Sequence, residues 1–147
     1  MSKVALVGCS SYELYQVKKA LLRGFSYFGG IKKVFQNKNR ILLKPNLLTG
    51  ENIEKAVTTH PSLFQGVAEI LIENDFVCGY GDSPGFGSLE TVAKKAGLYA
   101  PLKNLKIEKA DFNGKQEVSY PKALQNRQFT LAKGVFHFDA ILSLPKW

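Results

Sequence analysis

Four polar segments of this 147-residue chain hold residue types that can manage an anion or a proton. Lys44-Pro45-Asn46 follows the apolar run Ile41-Leu42-Leu43. Thr58-Thr59-His60-Pro61 precedes a helical pattern, Asp82-Ser83 opens a glycine-rich stretch, and Lys146 follows the last apolar run. A lysine supplies a positive point charge, a carboxylate takes a proton or a metal, and a histidine titrates near neutral pH. Lys44, His60 and Asp82 are the candidate catalytic residues on those grounds. Asn46, Thr59, Ser83, Gly85, Gly87 and Lys146 are the candidate ligand-binding residues; the sequence names no metal.

Gly81-Asp82-Ser83-Pro84-Gly85-Phe86-Gly87 has the composition of a strand-to-helix ligand loop. Its glycines and proline supply turn backbone, and Ser88 is placed to cap the helix that follows, whose free amides would face the loop. It matches neither GxGxxG nor GxxxxGK[ST], so neither a dinucleotide nor a phosphate-loop reading applies. Each candidate also has a structural alternative. Lys44 can snorkel from a strand end, Asn46 can make a side-chain turn, and His60 or either threonine can cap a helix. Asp82 can pin its own loop by accepting backbone bonds. His137, between Phe136 and Phe138, reads as structural.

For these residues to meet, strands must carry them to one end of a sheet. The sequence predicts strands at Val4–Cys9, Arg40–Pro45, Phe76–Gly81, Leu105–Phe112 and Phe138–Leu144. It predicts helices after Ser10-Ser11 ending at Gly29-Gly30, from Pro61 to Asn74, and from Leu89 to Ala96. Asn113-Gly114 is a hairpin signal, and Val118–Tyr120 and Gln128–Leu131 read as edge strands. Residues 46 to 60 form a long connection without period. The expected class is α/β: a mostly parallel sheet with helices on both faces and a small antiparallel excursion near 115–133. Ligands of such sheets bind at the carboxyl ends of the strands.

Length and a 45% hydrophobic content suit one domain spanning residues 1–147. No run approaches the roughly 18 apolar residues of a membrane span, and no signal peptide is evident, so a cytoplasmic protein is expected. The two cysteines, Cys9 and Cys78, suit buried thiols in a reducing compartment. The net charge of +8 is uneven. Residues 1–50 carry nine basic and one acidic side chain, 51–100 three and seven, and 101–147 eight and four. The lysines occur as scattered pairs without an aromatic-basic pattern, which makes nucleic acid an unlikely partner.

Together ILLKPNLL (41–48), TTHPSLFQGVAEIL (58–71), GDSPGFGSLETVAKKAGL (81–98) and DAILSLPKW (139–147) resemble the domain of unknown function 362 family. The resemblance implies an iron-sulfur association, because many members join this domain to a ferredoxin-type module. Lacking a CxxCxxCxxxCP run, this chain is expected to hold no cofactor itself, and a four-iron four-sulfur cluster would belong to a further C-terminal segment. The stop at Leu144-Pro145-Lys146-Trp147 leads us to expect the N-terminal part of a longer protein. The expected function is binding of a small anionic ligand or a metal within a redox-linked protein. The alternative is a non-catalytic domain that docks a ferredoxin-like electron-transfer partner through its lysines.

Overall fold

A computed structural model describes residues 2–146. Four strands form one parallel sheet, with β1 at Arg40–Pro45, β2 at Val77–Tyr80, β3 at Glu108–Lys109 and β6 at Ala140–Leu144 in the order β3-β2-β1-β6. In the central register Ile41 lies opposite Cys78 on one side and Ala140 on the other. The antiparallel pair β4 (Lys115–Ser119) and β5 (Gln128–Ala132) stands apart as its own two-stranded sheet.

The helices are α1 (Leu14–Ser26), α2 (Ile31–Val34), α3 (Pro61–Ile72), α4 (Leu89–Lys95) and α5 (Tyr99–Asn104). Alternation along β1 turns Ile41 and Leu43 to a core that also holds Phe64, Val67, Ile70 and Leu71 of α3 and Val92 and Ala93 of α4. Gly30 at φ 90° ends the α1–α2 turn, and the Ser88 hydroxyl accepts from the Thr91 amide to start α4, as the sequence suggests. Leu42 points to the opposite face, where aromatic rings lie against the sheet. A side-chain carbon at Gly79 would run into Phe138, and one at Gly81 into Phe112. Glycine on β2 at position 79 and just past it at position 81 therefore lets those rings lie directly on the sheet.

Three expectations fail. Residues 4–9 carry no strand, and Val4 and Leu6 are 83% and 93% exposed, because no neighbouring strand pairs with them. Asn113-Gly114 is not the hairpin turn. The Asp111 carboxylate instead accepts from both amides, and β4 and β5 are joined through residues 120–127. The strand expected over 105–112 shrinks to Glu108–Lys109, and α5 takes up residues just before it. Trp147 lies outside the described residues.

Candidate functional site

The carboxyl ends of β1, β2 and β6 are tied together by polar contacts. Asp82, immediately past β2, is buried and reaches two partners: its Oδ1 lies 2.6 Å from Lys44 Nζ, and its Oδ2 accepts from the Leu47 amide at 2.7 Å. Leu47 is fully buried, so its amide has no water to turn to. Asp82 thus combines a loop-pinning role with an ion pair to the strand-end lysine.

A second junction is built on Thr59. Its hydroxyl accepts from the Asn46 amide at 2.7 Å and donates to the Leu144 carbonyl, while its own amide donates to the Asn46 carbonyl at 3.2 Å. The Asn46 side chain donates to the Val57 carbonyl at 3.0 Å. One buried threonine therefore joins the ends of β1 and β6 to the approach of α3. The Asn46 side-chain nitrogen is used in this junction, in a bond eleven residues along the chain and not in the local side-chain turn considered from sequence.

His60 caps α3, with Nδ1 accepting from the Ser62 amide at 3.2 Å. Pro61 takes the first helical position, where a missing amide costs nothing. The imidazole stacks on Tyr12 with ring centroids 3.7 Å apart, and Lys146 Nζ lies 3.3 Å from the Tyr12 hydroxyl. Burial, aided by the nearby Lys146 charge, lowers the His60 pKa below its usual value. With Nδ1 accepting, the neutral ring carries its proton on Nε2 and offers a hydrogen-bond donor there. Tyr12 carries no motif and was not singled out from sequence; only the fold brings it to His60.

The loop after Asp82 is open. Ser83, Gly85 and Gly87 are exposed, the Gly85 amide donates to the Leu48 carbonyl at 2.9 Å, and Gly87 adopts φ 85°, a backbone that favours glycine. The structure thus gathers Lys44, Asp82, Asn46 and Thr59 in one bonded cluster. It sets His60, Tyr12 and Lys146 in a second group at the end of β6 and leaves Ser83–Gly87 as a largely exposed rim. His137 lies elsewhere: its carbonyl accepts from the Arg40 side chain at 2.9 Å.

No three His, Cys, Asp or Glu side chains gather among the described residues, so Asp82 has no companion ligands and faces a lysine instead. The cysteines do not fit a four-iron cluster either. Cys9 is exposed, Cys78 is buried in β2 with its thiol pushed up to about 11, and the chain has no others.

The family model described as Domain of unknown function (DUF362) matches residues 41–147. A thylakoid-associated protein of Synechocystis sp. (strain ATCC 27184 / PCC 6803 / Kazusa), sll1697, is 30% identical over 146 residues, covering 99% of this chain and 45% of that protein. The chain therefore spans less than half the length of this relative. No solved structure matches. No helix among the described residues is long and apolar enough to cross a membrane.

Proposed function

The chain belongs to the domain of unknown function 362 family, and we propose that it binds a small anionic ligand where the carboxyl ends of β1, β2 and β6 meet. The observation that carries this reading is that lysines rise from the ends of two adjacent strands, Lys44 from β1 and Lys146 beyond β6, above a network that fixes both ends. Thr59 and Asp82 hold that frame rigid without occupying the exposed Ser83–Gly87 rim.

In this reading Lys146 supplies charge, Lys44 offers the ammonium hydrogens left over from its ion pair with Asp82, and His60 Nε2 donates a hydrogen bond. The partial positive end of the twelve-residue helix α3 adds to the same field. A cluster held with this domain in a redox-linked protein would use residues other than Cys9 and Cys78. A reducing, cytoplasmic setting belongs to this reading; of the two cysteines expected to be buried thiols, Cys78 is buried and Cys9 is exposed.

A lysine-rich docking face for an electron-transfer partner has less support. Lys18 is engaged by Glu69 and Glu73, and Lys32 by Asp75, so part of the N-terminal charge is already answered within the chain.

The test is calorimetric titration with inorganic phosphate, sulfate and citrate at low salt. Lys44→Ala and Lys146→Ala are each expected to weaken the tightest-bound anion about tenfold, with Lys115→Ala as the silent control. Equal losses at all three lysines would reduce the site to diffuse surface charge.

A further inference from the structure

Residues 4–9, which carry no strand, and the outer edge of β6 are two backbone stretches that pair with no strand among the described residues. The crossover rule locates them relative to each other. The step from β1 through α3 to β2 leads away from β6, and α1 packs beside α3 in the same helical layer. A right-handed connection from residues 4–9 through α1 into β1 therefore puts that segment on the β6 side of the sheet. β6 already holds the place next to β1, so residues 4–9 belong beyond it. Side-chain contacts agree: Tyr12 stacks on His60 and meets Lys146, so the segment's end lies at the carboxyl end of β6 and runs parallel to it.

Between this segment and the helices lies a cleft of about 910 Å³, lined by Ala5 and Val7 on one side and by Val17, Leu21, Phe25 and Val34 on the other. Val4 and Leu6 remain exposed next to its lining residues, and Ile141 is exposed on the opposite face of β6, the face of Leu42. Apolar residues on both faces of an extended run are what a parallel strand buried inside a sheet requires.

We propose that the outer edge of β6 and this cleft seat an apolar strand supplied by a C-terminal continuation of the chain. That strand would bridge β6 to residues 4–9 and lay its side chains on α1. The longer relative motivates the choice of occupant, since more than half of its length lies outside the match. The handedness rule adds a constraint. A strand added outward from β6 reverses the direction of the earlier steps, so its crossover covers the face opposite α1 and α3.

The Asp139 amide donates to the Arg40 carbonyl, so by alternation the amides of Ala140 and Leu142 point to the free edge. These are the reporters. The gene product expressed through its natural stop codon is compared with residues 1–147 by amide hydrogen exchange and thermal melting, each with and without Leu6→Lys. The expected result is a longer product in which the Ala140 and Leu142 amides exchange roughly 100-fold or more slowly than in the 147-residue chain. There Leu6→Lys lowers the melting temperature by about 4 °C or more, against no change in the shorter chain. A reading frame that stops at residue 147 overturns the proposal, as does a longer product whose two amides exchange as fast as before. Protection that grows with concentration in the 147-residue chain would assign the seat to a second copy. Concentration-independent protection there would assign it to residues 4–9. Either result overturns the proposal too.

Discussion

The strand-end cluster and the N-terminal segment approach each other only where Tyr12 stacks on His60, and one is fully bonded while the other is open. At Asp82 and Thr59 each buried polar group has a partner, and no buried side-chain nitrogen or oxygen among the described residues lacks one. At residues 4–9 the backbone is unpaired and apolar side chains face water. The difference lies in what each needs. A polar junction can be completed by loops a few residues away, whereas a strand is completed only by another strand.

Substitutions at the two regions put this contrast at risk, and the largest effect is expected at Asp82. Asp82→Ala strands the buried Leu47 amide and should cost about 3 kcal/mol in denaturant unfolding, with Asp82→Asn milder because it keeps an acceptor. The Lys44 partner adds little to that figure, since its side chain is 42% exposed. Thr59→Val removes the bridge between Asn46 and Leu144 and should cost about 2 kcal/mol by the same measurement.

A smaller effect is expected from His60. Its folded-state pKa lies below the unfolded value, so as pH falls through about 6.5 the unfolded chain takes the proton first and stability declines. Above that pH both states are neutral and the contribution is constant. Lys146→Ala should raise the His60 pKa partway toward normal in an NMR titration and shrink the decline; burial, the larger cause, would keep the remainder. Smallest of all, Leu6→Lys in the 147-residue chain should change stability by no more than about 0.5 kcal/mol. An Asp82→Ala variant as silent as Leu6→Lys would erase the contrast.

Much of the frame was legible because its signals are local. Ile41–Leu43 before Lys44-Pro45, Pro61 behind a capping His60, and Ser88 at the start of α4 each announce an element within a few residues. The candidate site was legible as a set of strand ends, since a parallel sheet must bring such ends together. Pairing was not legible. Val4–Cys9 has strand composition but finds no ladder, and Asn113-Gly114 has hairpin composition but serves an Asp111 side-chain turn. Tyr12 was invisible for a related reason: nothing near it in sequence marks a residue that the fold lays on His60, 48 positions later. The aromatic cover over Gly79 and Gly81 depends likewise on residues far along the chain.

The most direct test of the strand-end assignment is an NMR titration of the chain with inorganic phosphate at low ionic strength, following every backbone amide. The account predicts saturable shifts confined to residues 44–48, 60–63 and 82–88, lost in Lys44→Ala without loss of fold. Shifts spread evenly over the scattered lysine pairs, or none at those segments, would contradict it.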